Sequence, residues 1–298
     1  MTVLPRGVGF VTTPVGYDSV TLGFGRLAIA FRGIDDTVRF SIDETHVPFV
    51  IRSDLPADLE LECRVGTIHP PVGPVTFSAG DAWDLRREPD GSEDMLIRGG
   101  ATPVWHLRID RNFERGSLVE APVMPDRRVR ADGYPLLEYL VARLIARHHG
   151  LLIHASTAIV DGAAYVFVGH SGAGKSTMAS LGEVAGARIP TDDRTIITVE
   201  DGDVMAWGTP WHGSLVRKSP EGAPIRRIFL LQQSDGDRVE LMLPSRAVKE
   251  LFVRLIQPRL HPVELHETLR LLEQVVERVP VAVLHFRPTP AAFALAVG

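Results

Sequence analysis

The first 130 residues carry their hydrophobic positions in short apolar or alternating stretches, a pattern typical of β-strands. Turn-forming residues, among them Gly33, Gly73 and Gly91, separate these stretches. No helical period continues there for more than about two turns, so the pattern predicts a β-rich N-terminal domain over residues 1–130, built as a small sheet, sandwich or barrel. The predicted strands cover residues 27–31, 38–42, 49–51, 59–65, 95–97 and 104–109.

The pattern changes after a linker at residues 121–133, which is rich in proline and arginine and includes Arg127. Five aliphatic side chains between positions 136 and 145 fall on one broad face of a helix, and Gly150 is placed to end that helix. Strands and helices alternate from there on, which predicts an α/β domain over residues 131–298.

Two hairpin turns are predicted inside this second domain, at Asp161-Gly162 and at Asp201-Gly202-Asp203. A polar turn at residues 234–237 is expected between two further strands. The predicted strands cover residues 151–160, 164–168, 187–190, 195–199, 204–207, 227–232, 239–243 and 281–286, and the later helices cover 245–256 and 261–276.

Composition excludes several classes of protein. The 298 residues are 45% hydrophobic and 23% charged, which is the composition of a globular chain rather than a disordered one. No apolar run reaches the ~18–20 residues that span a bilayer, and the first ten residues hold no apolar leader, so we expect a cytoplasmic protein without membrane contact. The net charge of −5 gives no overall electrostatic footprint for nucleic acid. Cys63 is the single cysteine, so an internal disulfide and a multi-cysteine zinc site are excluded.

The strongest motif of the chain is a match to G-x-x-x-x-G-K-[ST] between an apolar strand and a helix. Glycines let backbone N–H groups turn inward around an anion, and the helix N-terminus adds a partial positive charge. Lys175 would reach the β- and γ-phosphates of a nucleoside triphosphate, and the Ser176 hydroxyl would ligate Mg²⁺. The candidate nucleotide-binding residues are Gly169, Ser171, Gly172, Ala173, Gly174, Lys175, Ser176 and Thr177.

Lysine is rare in this chain. Of 32 Lys and Arg residues only three are lysine, namely Lys175, Lys218 and Lys249. Lys218 is also a candidate, with Arg217, for a cation that faces the phosphates, although solvated surface is the more common place for such a side chain. Arg226 and Arg227 are alternatives for the same role.

Two carboxylates follow the loop closely, at Asp192 and Asp193. Adjacent buried carboxylates do not both ionise cheaply unless a cation lies nearby, so either one is a candidate metal ligand or general base.

His154 lies in an apolar strand before the loop, where a hydrogen-bonded core histidine is the usual interpretation. A segment at 207–213 is dense in Trp, Gly and Pro, and it is either a loop at the mouth of the site, with Trp211 or His212 in contact with ligand, or an ordinary packed turn.

Together, His154-Ala155, the loop and the Asp192-Asp193 pair resemble the catalytic domain of HPr kinase/phosphorylase and of the diverse HPr-kinase-like proteins. The resemblance covers roughly residues 133–298. It implies a P-loop fold related to phosphoenolpyruvate carboxykinase, here behind the β-rich N-terminal domain. Lys175 would then bind the β- and γ-phosphates of ATP, and Ser176 with one Asp, taken as Asp193, would hold Mg²⁺.

The same resemblance implies that Asp192 orients or deprotonates the acceptor hydroxyl and that His154 sits beside the phosphates or the acceptor. It predicts an ATP- and Mg²⁺-dependent kinase that phosphorylates a hydroxyl, taken as a serine of a protein or peptide. The chain lacks the Glu-x-Arg-Gly-like segment of the bifunctional enzymes, so the resemblance leaves their phosphorylase activity and hexameric assembly open for this chain.

Two other functions stay open at this point. One is a nucleotide-gated binding protein with little turnover, and the other is a small-molecule kinase. The N-terminal domain would select the acceptor or mediate assembly, and a homo-oligomer is one possibility.

Overall fold

The computed structural model describes residues 17–52, 56–122, 128–211, 213–215, 218–256 and 262–298. It divides the chain into two compact units. The N-terminal unit holds the described residues up to Thr21 together with Ile29–Tyr134, and the C-terminal unit holds Leu22–Ala28 together with Pro135–Gly298. The main body of the C-terminal unit begins at Pro135. Arg127, in the predicted linker, lies outside the described residues.

The first ten strands form one eight-stranded sheet, in the order β1-β2-β4-β9-β8-β7-β6-β5, and a two-stranded sheet of β3 and β10. Their bounds are β1 (Ser19–Phe24), β2 (Leu27–Gly33), β3 (Arg39–Ser41), β4 (Leu59–Val65), β5 (Val75–Ser78), β6 (Trp83–Arg87), β7 (Glu93–Gly99), β8 (Thr102–Ile109), β9 (Arg115–Glu120) and β10 (Arg128–Arg130).

Side chains alternate along β4, where Leu59, Leu61 and Cys63 are buried while Glu60 and Glu62 are exposed. The β-rich prediction for this region is therefore confirmed. The strand expected at 49–51 is wrong, because Val47–Phe49 forms a 3-10 helix. Its first turn contains a proline, which has no N–H to donate to a strand partner.

The remaining elements build a mixed α/β unit around a second eight-stranded sheet. Strands run in the order β12-β11-β14-β15-β16-β18-β17, with β13 paired to β11 and β12 also paired to β16. The bounds are α1 (Leu136–Arg147), β11 (Gly150–Val160), β12 (Ala163–Val168), α2 (Lys175–Val184), β13 (Arg188–Thr191), β14 (Arg194–Glu200), β15 (Asp203–Trp207), β16 (Gly222–Gln233), β17 (Arg238–Leu241), α3 (Pro244–Phe252), α4 (Pro262–Arg278), β18 (Val281–Phe286) and α5 (Pro290–Val297).

The central strand β12 is buried on both faces. Val166 and Val168 point into a core shared with α3 and α4, whereas Phe167 points into a second core with Met178 of α2 and Phe293 of α5. Strand β12 runs parallel to β16, which runs parallel to β18. This packing holds the carboxyl end of β12 rigidly, and the glycine-rich loop (residues 169–174) leaves from that end.

Three local features of the structure were not predicted from the sequence. Gly150 does not end α1 but opens β11, and the left-handed residue after the helix is His149, with φ of 56°. The strands on either side of the polar turn do not pair with each other, since β18 lies between β16 and β17. The last helix, α5, was not predicted, because its eight residues are nearly all apolar and show no amphipathic period.

Both predicted hairpin turns are present, with Asp161 and Asp201 in the left-handed region that a tight two-residue turn needs. Among the described residues, the helices are all too short or too polar to cross a membrane.

Candidate functional site

The glycine-rich loop joins β12 directly to α2, as the motif predicts. Gly174 caps the helix in a left-handed conformation, with φ of 105°, and the helix begins at Lys175. Within the loop, the Ala173 N–H donates to the His170 carbonyl oxygen at 3.1 Å. Ser171 and Gly172 are exposed, whereas Ser176 is half-buried. The loop is thus a tight turn with an accessible rim and a helix N-terminus behind it.

Lys175 is buried and directed back over the loop. Its Nζ donates to the carbonyl oxygens of Gly169 at 3.0 Å and His170 at 3.1 Å. Burial lowers the pKa of the ammonium group, while the charges of Asp193 and Asp192 act in the opposite direction. The ammonium group is held at the loop by weak neutral acceptors, which phosphate oxygens can replace.

Pairing of β11 with two strands brings the remaining candidates to the loop. Strand β11 pairs with β13 at Thr191 and with β14 at Arg194, where His154 is the direct partner of Arg194. The two residues between these strands, Asp192 and Asp193, therefore lie beside His154. The predicted catalytic residues His154 and Asp192 and the predicted metal ligand Asp193 are thus gathered in one place, although His154 is distant in sequence from the two aspartates.

His154 is fixed through one ring nitrogen. Its Nδ1 lies 3.0 Å from the Asp193 carbonyl oxygen and 3.3 Å from Asp193 Oδ1. Both neighbours only accept hydrogen bonds, so Nδ1 carries the proton of the neutral ring and Nε2 carries the lone pair. Burial and the nearby Lys175 charge lower the pKa of His154, which keeps the ring neutral near pH 7.

Asp193 is held between two cationic or polar groups. One carboxylate oxygen bonds Arg194 and the other faces His154. Arg194 in turn pairs with Glu138 of α1 and lies 5.8 Å from the centroid of the Trp211 ring. Each Asp193 oxygen keeps a second lone pair, so the carboxylate is oriented without being saturated.

Asp192 is completely buried and saturated with donors. Its Oδ1 accepts the Gly213 N–H at 3.0 Å and the Lys218 ammonium, and its Oδ2 accepts the Ser214 and Leu215 N–H groups at 2.7 and 2.8 Å. Burial alone would raise the pKa of this carboxyl, but these hydrogen bonds outweigh burial and lower it. Such a carboxylate is a poor proton acceptor, which argues against the predicted role of Asp192 as a base.

The segment held by Asp192 lies directly against the first turn of α2. An ideal Cβ placed on Gly213 would be 3.2 Å from Asp192 Oδ2 and 3.4 Å from Ser176 Oγ. Because there is little room for any side chain at position 213, the residue type follows from this close approach. The Asp192 carboxylate, Gly213 and the Ser176 hydroxyl thus form one packed cluster.

A divalent metal ion fits this site only with help from a bound phosphate. In the described part of the chain, no group of three or more His, Cys, Asp or Glu side chains could hold a metal. Ser176 Oγ has no hydrogen-bond partner among the described residues, and Asp193 has lone pairs to spare. Mg²⁺ commonly takes one or two protein oxygens together with phosphates and water, so Ser176 and Asp193 fit it, whereas Asp192 does not.

The remaining sequence candidates either have packing and pairing roles or fall outside the described residues. Trp211 is only 8% exposed and packs against Arg194. For this residue, the structure therefore matches the second of the two interpretations of the 207–213 segment, an ordinary packed turn. Arg227 lies over the ring of Phe229. His212 and Arg217 are outside the described residues. For Lys218 the solvated-surface alternative is wrong, because its side chain is 0% exposed and paired with Asp192.

The two glycines in the loop with positive φ make a matched pair for a stability prediction. A Cβ on Gly174 would be 2.5 Å from Cζ of the buried Phe286, whereas a Cβ on Gly172, with φ of 80°, would meet nothing within 4 Å. Gly172→Ala adds only backbone strain of roughly 1–2 kcal/mol. Gly174→Ala adds overpacking of roughly 1–3 kcal/mol to the same strain. Urea unfolding of both variants should therefore show the larger loss for Gly174→Ala, and equal losses would contradict the close contact with Phe286.

Comparison with known proteins gives partial matches. A family model described as SynChlorMet cassette protein ScmC matches residues 136–254, which is less than half of the chain but includes the loop and both aspartates. Among solved structures, the Hpr(Ser) kinase/phosphatase from Coxiella burnetii is similar with a TM-score of 0.30 and 11% identity, over 49% of this chain and 93% of that chain. No curated protein matches the chain. Likeness of this size carries no statement about activity, so function has to be inferred from the side chains of the site.

Proposed function

We propose that the C-terminal unit binds ATP with Mg²⁺ and transfers the γ-phosphoryl group to a serine hydroxyl of a protein or peptide. The observation that supports this most directly is the grouping of Lys175, His154 and Asp193 at one glycine-rich loop. Phosphoryl transfer requires positioned phosphates, positive charge and a group that receives the hydroxyl proton. These residue types meet each of those requirements.

Nucleotide binding would use the groups that the loop already exposes. Backbone N–H groups of residues 169–174 and of the first turn of α2 would donate hydrogen bonds to the phosphate oxygens, as anions favour such a helix end. The Lys175 ammonium would exchange its two carbonyl acceptors for β- and γ-phosphate oxygens. Ser176 and Asp193 would hold Mg²⁺, which supplies neutralisation of phosphate charge when it is bound.

In the transfer, the acceptor oxygen forms a bond to the γ-phosphorus while the bond from that phosphorus to the β–γ bridging oxygen breaks. The electron pair of the broken bond leaves with ADP, and the hydroxyl proton passes to Nε2 of His154. Asp193 keeps the ring in the required tautomer through Nδ1 and stabilises the imidazolium that forms. In this assignment His154 takes the proton-accepting role that the sequence had given to Asp192.

Asp192 would then act by holding other groups in place. Three of its hydrogen bonds fix residues 213–215 next to Ser176, which would orient the hydroxyl that is to face the metal. A carboxylate in this position contributes to the geometry of the site without changing its own protonation state.

The proposed role of His154 is tested by His154→Gln. Loss of a general base lowers the transfer rate by typically 10²–10⁴-fold, while Mg·ATP affinity stays the same because the loop and Lys175 are untouched. The measurement uses γ-labelled ATP, Mg²⁺ and a protein and peptide extract of the native host as acceptor, with calorimetry for ATP binding. His266→Gln, on the exposed side of α4, is the matched control and should behave as wild type.

Three results would speak against parts of this proposal. Tight ATP binding without labelling of any macromolecule would favour a nucleotide-gated binding protein, and labelling of small metabolites would favour a small-molecule kinase. A His154→Gln variant that transfers phosphate at the wild-type rate would remove His154 from the chemistry.

A further inference from the structure

The chain that follows helix α3 is fastened to the strand that carries His154. The carbonyl oxygen of Arg254 accepts the His154 N–H at 3.0 Å, and the Ile256 N–H donates to the Leu152 carbonyl oxygen at 2.8 Å. A β-bridge also joins Ile153 to Leu255. These contacts fix the backbone of Arg254 at the edge of the site rather than leaving it on a free helix end.

The Arg254 side chain reaches from there to the glycine-rich loop. Its Nη2 lies 3.1 Å from Nε2 of His170, and its Nη1 donates to Glu250 Oε2 at 2.8 Å. An arginine can only donate, so His170 Nε2 acts as the acceptor of this contact. The Arg254 Nε is buried and has no hydrogen-bond partner among the described residues. The guanidinium group thus touches the loop through a histidine ring nitrogen and retains an unused donor.

Two other cations of the site are paired with carboxylates that belong to the site itself. Lys218 is paired with the buried Asp192 carboxylate, and Arg194 is paired with both Asp193 and Glu138. Lys175 already serves the loop itself. Arg254 differs from Lys218 and Arg194 because its partner in the loop is a histidine ring nitrogen and not a carboxylate. A phosphate oxygen that replaced this nitrogen would form a stronger hydrogen bond with Arg254, because hydrogen bonds between two charged groups are about twice as strong as those between neutral groups.

The geometry points to Arg254 as a ligand of the terminal phosphate of the bound nucleotide, where it exchanges His170 Nε2 for a γ-phosphate oxygen. This inference rests on the proposed nucleotide site and adds a residue to it. The planar guanidinium matches the spacing of phosphate oxygens, which a lysine cannot do in the same way. In the transfer step it would neutralise charge on the equatorial oxygens of the moving phosphoryl group.

The test compares two nucleotides that differ by one phosphate. Affinities of Mg·ADP and of the non-hydrolysable Mg·AMP-PNP are measured by calorimetry for wild type, Arg254→Gln, Arg254→Lys and Arg246→Gln. Arg246 is an exposed arginine on α3, the helix just before Arg254, and provides the matched control. Loss of a charged hydrogen bond should weaken AMP-PNP binding by Arg254→Gln about 10- to 100-fold while ADP binding stays unchanged. Arg254→Lys should fall in between, and Arg246→Gln should match wild type.

The outcomes separate this inference from the proposed function. An Arg254→Gln variant that loses affinity equally for both nucleotides, or for neither, would overturn the γ-phosphate contact. An Arg254→Lys variant equal to wild type would overturn recognition by the guanidinium fork, and it remains informative if Arg254→Gln does not fold. Failure of the wild-type protein to bind either nucleotide would instead overturn the proposed nucleotide site, and the inference with it.

Discussion

Lys175→Met is expected to abolish phosphate transfer and to weaken Mg·ATP binding by about 10²–10⁴-fold, the equivalent of two charged hydrogen bonds to phosphate oxygens. The same variant should be as stable as wild type. Burial already disfavours the charged form of Lys175 in the ligand-free protein, and its two acceptors are neutral carbonyl oxygens. Methionine retains an unbranched apolar stem of similar length, so the packing against the loop persists.

The combination of these two results is what identifies a ligand-binding lysine. Removal of a structural lysine would lower the free energy of unfolding, whereas removal of a lysine that only binds ligand would lower the affinity for that ligand. Calorimetric titration with Mg·ATP and thermal unfolding measure the two quantities separately. Lys249→Met supplies the control, because Lys249 is exposed on α3 and should alter neither. Retention of wild-type ATP affinity by Lys175→Met would show that the loop does not bind triphosphate in the proposed way.

The loop could be found from the sequence because all of its information is local. Glycines, lysine and hydroxyl stand within nine consecutive residues, and the flanking strand and helix show their periods directly. The hairpin turns at Asp161 and Asp201 were predicted for the same reason, since a two-residue turn is specified by the residues that form it.

The surroundings of the two aspartates depend on contacts that no local pattern reveals. The donors to Asp192 lie 21–26 residues further along the chain, and Arg254 meets His170 across 84 residues. Only the tertiary fold decides which oxygen is saturated and which nitrogen keeps its lone pair. The rarity of lysine in this arginine-rich chain was the one available signal that Lys218 has a special environment.

The order of the strands in the sheet could not be predicted from the sequence for a related reason. Strands β16 and β17 flank a polar turn, yet they do not pair with each other. Strand β18 lies between them, parallel to β16 and antiparallel to β17. A turn signal reports that the chain reverses and does not report which strand becomes the neighbour. The pairing is set by burial of both faces of β16 and β18.

Lys218→Met is expected to lower the free energy of unfolding by about 3–5 kcal/mol, because it leaves the buried Asp192 carboxylate without its cation. Both side chains of the pair are 0% exposed, so water cannot take over the lost contact. Three backbone N–H groups would remain on the carboxylate, but they carry only partial charge. For a unit of this size the midpoint of thermal unfolding should drop by roughly 6–20 °C.

A double replacement tests whether this cost comes from the uncompensated charge rather than from packing. In Lys218→Met combined with Asp192→Leu no charge remains buried, so the total loss should be clearly smaller than the sum of the two single losses. Lys249→Met should unfold like wild type, which makes the three lysines of the chain a complete series: one that binds, one that holds the fold and one that does neither. If Lys218→Met is as stable as Lys249→Met, the buried Asp192 carboxylate does not need the Lys218 cation, and the three backbone N–H groups are enough to hold it.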